Sequence, residues 1–179
     1  MLQYFLFSVI ACGFFTSCTS HSEYSTAIIN DSTQVKLVKG EVNTLICSVS
    51  DSITSSWPVR FPVYQFQYGD FDQNGSIDLA VGVYKATRYD SVKSNRLFLF
   101  QVRNNSIIPL WLGSSVGYPI EDFRAVKVSD NQSIVRVLCK DKNDKYLVAD
   151  YEWYGFGLSL SKYLCRQVSL QAAKKFLND

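Results

Sequence analysis

One histidine, His21, stands in the whole 179-residue chain. That scarcity excludes zinc sites built on several imidazoles and leaves no histidine for a catalytic triad in the body of the chain. Charge of one sign is lacking too. Eighteen Lys and Arg face sixteen Asp and Glu, a net of +2, too little for an electrostatic nucleic-acid binder. No apolar run reaches the roughly 20 residues that span a bilayer. The five cysteines include no CxxC pair, which argues against a thiol redox enzyme or a zinc knuckle. What the chain has in quantity is aromatic side chains: 11 Tyr, 12 Phe and 3 Trp make up 15% of it, a composition that favours strands.

The first twenty residues carry no charged side chain, and Leu2 to Phe15 reads LQYFLFSVIACGFF. A run of this length fits the apolar region of a secretory signal. Phe15-Thr16-Ser17-Cys18 closes it, and a polar stretch follows. Small residues before a Cys that ends an apolar run resemble the lipobox of bacterial lipoproteins. That resemblance implies a signal peptide over 1–17, a diacylglycerol thioether on Cys18, and residence in the bacterial cell envelope, on the outer-membrane or periplasmic side. Cys12 competes, but cleavage there would leave Gly-Phe-Phe at the mature end. Residues 18–34 then read as a Ser/Thr-rich tether. Cys47, Cys139 and Cys165 remain in the mature part. Cys47 and Cys139 are expected to be buried as small apolar side chains within strands, with one disulfide among the three as the alternative.

From Val35 the texture changes to short alternating segments. Strands are expected over Gln34–Lys39, Thr44–Val49, Val59–Tyr68, Asp78–Tyr84 and Arg96–Arg103. Asn104-Asn105-Ser106 is a hairpin signal that returns the chain through Ile107–Leu112. Further strands are expected over Phe123–Val128, Ser133–Leu138, Tyr146–Trp153 and Leu158–Leu160. A helix is expected at the end, with Ser169 as cap and Leu170, Ala173, Phe176 and Leu177 as its apolar stripe. Phe66 to Ile77 overlays Phe123 to Ile134 at an offset of 57, with Phe, Asn, Ser and Ile in common. Leu97–Phe100 then matches Tyr146–Ala149. The expected fold is all-β: two four-stranded antiparallel sheets resembling propeller blades, plus N-terminal strands and a short C-terminal helix. Residues 35–179 are expected to form one domain with repeat-like units at about 59–113 and 121–163.

One segment carries chemistry. In Gly69-Asp70-Phe71-Asp72-Gln73-Asn74-Gly75-Ser76-Ile77-Asp78-Leu79, oxygen-bearing side chains stand at positions 1, 3, 5 and 9: Asp70, Asp72, Asn74 and Asp78. Ser76 at position 7 offers its carbonyl, and Gly75 permits the sharp turn. Hard oxygen donors around a tight loop suit Ca²⁺. Position 12 is Val81 rather than Glu, and the flanks read as strands, so this is no EF-hand. A D-x-D-x-N-G-x-x-D-L loop between strands resembles the FG-GAP/VCBS repeat, the calcium-loop blade of integrin-type β-propellers. The resemblance covers residues 66–84 closely and implies a structural Ca²⁺. In the second unit Lys127, Ser129 and Val135 stand where Asp70, Asp72 and Asp78 stand in the first, so a single site is expected.

Other polar groups are candidates for catalysis and binding. Glu121, Asp122 and Glu152 are candidate acid–base carboxylates for a hydrolase of envelope or extracellular polymers. Arg88, Asp90, Lys93 and Arg96 form a polar loop, expected to be solvated. Trp153-Tyr154-Gly155-Phe156 is expected to be core aromatics of a hairpin, with a sugar platform as the alternative. The expectation is a non-catalytic, lipid-anchored envelope protein that binds a protein or glycan and no nucleic acid. A hydrolase or a structural subunit of an envelope complex is the alternative.

Overall fold

The computed structural model describes residues 24–88, 90–113 and 116–179. The expected signal peptide over 1–17 and the lipidation site Cys18 lie outside the described residues. Among the described residues, twelve strands form three four-stranded antiparallel meanders. The first sheet holds β1 (Tyr24–Ile28), β2 (Thr33–Val38), β3 (Asn43–Val49) and β4 (Ser52–Val59). The second holds β5 (Val63–Gly69), β6 (Asp78–Lys85), β7 (Ser94–Arg103) and β8 (Ser106–Leu112). The third holds β9 (Ile120–Ser129), β10 (Gln132–Lys140), β11 (Tyr146–Trp153) and β12 (Leu158–Val168), and α1 (Leu170–Asn178) follows. The all-β fold with a short C-terminal helix is thus as expected.

Three details differ. The N-terminal strands make a complete sheet of their own, and its β1 starts inside the stretch read as a tether, so the ordered body begins by Tyr24 instead of Val35. The segment Val59–Tyr68 is two strands, because the chain leaves β4 at Val59 and enters β5 at Val63. The repeat is real in register but not gap-free. Phe66 pairs with Val81 and Val81 with Phe98, while Phe123 pairs with Val137 and Val137 with Ala149. Phe98 therefore matches Ala149, two residues beyond the expected partner. A register shift between Gln132 and Ser133 brings Ile134, not Val135, to the place of Asp78.

The sheets stack face to face, with the second in the middle. Leu79, Val81, Val83, Phe98 and Phe100 face the first sheet, where they meet Ala27, Val35, Leu37 and Leu45. Ala80, Leu97 and Leu99, at the alternate positions, face the third sheet and meet Phe123, Val135, Val137 and Leu147. A strand buried on both faces reads as an unbroken apolar run, which is why β6 is DLAVGVY. Each fully buried Phe or Leu contributes about 1.5–3 kcal/mol by leaving water. On the outer face of the third sheet, Leu138 and Val148 receive Ala173 and Leu177 of the helix. Ser169 caps that helix, accepting from the Ala172 N–H at 3.3 Å. Leu170 and Phe176, the flanks of the expected stripe, stay partly exposed.

Cys47 lies between the first and second sheets, Cys139 between the second and third, and Cys165 beneath the helix. Three separate layers leave them unpaired. Burial pushes the Cys139 thiol up to about 12, so it is inert as a nucleophile. Among the described residues, no helix is long and apolar enough to cross a membrane.

Candidate metal centre

The β5–β6 connection, residues 70–77, sits at one end of the stack. It is pinned there on three sides. The Asp70 carbonyl accepts from the Ser133 N–H of β10 at 2.7 Å. Gly69 abuts the same residue so closely that a Cβ in its place would stand 2.6 Å from Ser133 Oγ, so only glycine fits. Phe71, between the two aspartates, is buried in the core shared by the second and third sheets. Gly75 turns the chain back at a φ of +82°, in the left-handed region that glycine enters freely.

Pinning Phe71 inward turns Asp70 and Asp72 towards Asp78, the first residue of β6. The three carboxylates each offer an oxygen within 4.8 Å of the others, the one such trio of His, Cys, Asp or Glu side chains among the described residues. Asp70 and Asp78 are buried and Asp72 half-buried. Amide N–H groups satisfy part of this charge. Asp70 accepts from Asn74 (3.1 Å) and Gly75 (2.9 Å), and Asp72 accepts from Asn74 at 3.2 Å. Asp78 Oδ2 accepts from Phe71 (3.1 Å) and Asp72 (3.3 Å). Asp78 Oδ1 is buried with no hydrogen-bond partner.

A buried carboxylate oxygen with nothing to accept from is costly. Burial, followed by the neighbouring Asp72 charge, pushes the Asp78 carboxyl up to about 7; the two amide hydrogen bonds oppose this, and Asp70 adds a smaller push. A cation beside Oδ1 would reverse that balance by supplying the missing partner and cancelling the repulsion. The donor set therefore fits a metal ion, and the trio could hold one.

Of the five expected ligands, Asp70, Asp72 and Asp78 are brought together. Asn74 is exposed and engaged within the loop: its Nδ2 donates to Asp72 Oδ2 at 3.0 Å, and its Oδ1 accepts from the Ser76 N–H at 2.8 Å. Ser76 is likewise exposed. The residues that sequence reasoning passed over are Phe71 and Ser133. Phe71 had a visible signal, an aromatic between two aspartates. Ser133 had none, since its role depends on how β10 docks.

The remaining candidates disperse. Asp122 accepts from Arg124 at 2.8 Å and from the Phe123 N–H at 2.8 Å. Glu152 accepts from Ser161 Oγ at 2.6 Å. Asp122 pairs with Leu138 and Leu138 with Val148, four residues short of Glu152. Four strand positions are about 13 Å, beyond the separation at which two carboxylates share a glycosidic bond. Arg96 is buried and paired with Asp90 at 2.9 Å, which ties the β6–β7 loop to β7. Trp153 packs against the core as expected, but Tyr154 and Phe156 project from the β11–β12 turn, 76% and 88% exposed. The turn is too tight to fold them back: Phe156 N–H already bonds the Tyr154 carbonyl at 2.7 Å. Compared with known proteins, the chain matches no protein-family model and no curated protein.

Proposed function

We propose that this chain is a non-catalytic, lipid-anchored bacterial envelope protein whose β body carries one structural Ca²⁺ and binds a protein or glycan. The observation that carries the reading is Asp78 Oδ1, buried and unpartnered where two further carboxylates converge. Oxygen-only donors with no His or Cys favour a hard cation over zinc. The likeness of residues 66–84 to an FG-GAP loop supports Ca²⁺ over Mg²⁺. Stacked four-stranded meanders accord with blade-like packing. Bound there, the ion supplies charge neutralisation and a bridge from the end of β5 to the start of β6. Asp70, Asp72 and Asp78 would hold it.

The anchor rests on the Cys18 motif. β1 begins six residues further on, which keeps the body within about 20 Å of a lipid-bearing Cys18. The paired exposed rings of Tyr154 and Phe156 support a contact surface for a sugar or an apolar protein patch.

The test is a melting curve of the full chain in Ca²⁺ and in chelator. At 100 times the dissociation constant, linkage adds about 2.7 kcal/mol, or about 5–10 °C for a chain of this size. No shift at about 5 mM Ca²⁺ would reduce the loop to a turn. Mass spectrometry of the mature N-terminus is expected to find a modified Cys18. An intact protein or glycan recovered with the chain from a membrane fraction supports the binding role, and turnover of an envelope polymer would replace it with the hydrolase.

A further inference from the structure

Away from the acidic loop, at the opposite end of the stack, a groove of about 420 Å³ opens between the first and second sheets where β4 ends beside β8. Its size lies within the range of small-molecule sites. Trp57, Phe61 and Phe98 line it, with Leu112, about half exposed, alongside. These rings are fixed by one another. Phe61 meets Phe98 edge-to-face with centroids 6.2 Å apart, Phe98 meets Phe100 at 6.3 Å, and Phe100 meets Trp57 at 5.7 Å. The groove is therefore preformed rather than opened by a ligand.

Two cations line the same groove, Lys85 and Arg60. The Lys85 ammonium sits 4.6 Å from the centroid of Phe61 and 5.4 Å from that of Phe98. Among the described residues, neither Lys85 nor Arg60 has a carboxylate partner. Half-buried Lys85 differs in this from Arg96, Arg124 and Arg136, each of which holds an aspartate. An aromatic cage already filled by a lysine offers no seat to a second cation. It offers instead a positively charged end to an apolar slot.

We propose that this groove binds a small hydrophobic carboxylate, its tail between Trp57, Phe61 and Phe98 and its carboxylate between Lys85 and Arg60. The planar fork of Arg60 matches the two oxygens of a carboxylate, and Lys85 adds a point charge on the apolar side. The site is separate from the metal centre, and its occupancy does not depend on the ion.

Calorimetric titration of the full chain with 3-phenylpropanoate tests this, with 3-phenylpropanamide and 3-phenylpropylamine as neutral and cationic counterparts. The expected result is saturable binding of one carboxylate per chain below about 5 mM, binding of the amide at least about tenfold weaker, and no binding of the amine. Lys85→Met is expected to weaken the carboxylate about tenfold and leave the amide unchanged. Arg60 is exposed, so Arg60→Gln carries the same test without touching the core, with a smaller loss. Equal affinity for carboxylate and amide, binding of the amine, or an undiminished affinity in both variants would overturn the proposal. So would the absence of carboxylate binding at about 5 mM. The three-ligand comparison on the unaltered chain decides the matter even if Lys85→Met does not fold.

Discussion

In the second sheet, β5 hands over to β6 through residues 70–77; in the third, β9 and β10 are joined by Asp130 and Asn131 alone. The two sheets otherwise follow one plan. Phe66, Val81, Phe98 and Leu112 lie side by side across the second, as Phe123, Val137, Ala149 and Tyr163 do across the third. Phe66 faces the sheet before it, and so does Phe123. Where the second sheet turns on three aspartates, the third carries Lys127, paired with Asp130 at 2.9 Å in full solvent, and Ile134 in place of Asp78. The fold is set by alternation and burial that both sheets share. The aspartate trio is set by a connection that only one of them has, so the two properties can be broken separately.

The largest expected effect strikes the shared part. Phe123 is fully buried between sheets, and Phe66 only half so. Phe123→Ala is expected to cost about 3–5 kcal/mol in chemical denaturation, and Phe66→Ala measurably less. Equal losses would mean that the sheets do not stack as described.

Acidity probes the difference next. Without a metal, folded Asp78 keeps its proton up to about 7, whereas an unfolded aspartate loses its proton near 4. Between those values the folded state binds the extra proton. Its stabilising contribution is present below about pH 4 and fades as pH rises towards about 7. The melting temperature in chelator should fall across that window, and Asp78→Asn should flatten the fall. Since a cation needs the ionised carboxylate, the Ca²⁺ increment should be larger at pH 8 than at pH 5.5.

The smallest effect is expected at the third sheet's turn. Lys127 holds the Asp130 carboxyl below its usual range, but the pair is solvated, and such pairs contribute little. Asp130→Asn should leave both the melting temperature and the Ca²⁺ increment unchanged. A lost increment would show that the two turns communicate.

Much of this was legible in the sequence because it is local. The strands β6, β7 and β11 announce themselves as apolar runs, and Asn104-Asn105 forms the expected hairpin turn, both residues at positive φ. The aspartates of the loop lie within nine residues of one another, so their convergence needs only a tight turn. β1 and β4 were not legible. YSTAI and SITSSWPV are rich in Ser and Thr, and Pro58 sits in an edge strand, where the missing N–H costs no ladder bond. The burial of Asp78, the Ser133 contact and the groove at Lys85 were not legible either. Each depends on residues of separate strands that meet only when the sheets stack.

Counting bound calcium by equilibrium dialysis with a radioactive ion, on the full chain and on Asp78→Asn, tests the central claim most directly. One ion per chain is expected in the first and none in the second, with the variant still folded because the apolar core of both sheets is untouched. No ion on the unaltered chain, or the same ion on both, would contradict it.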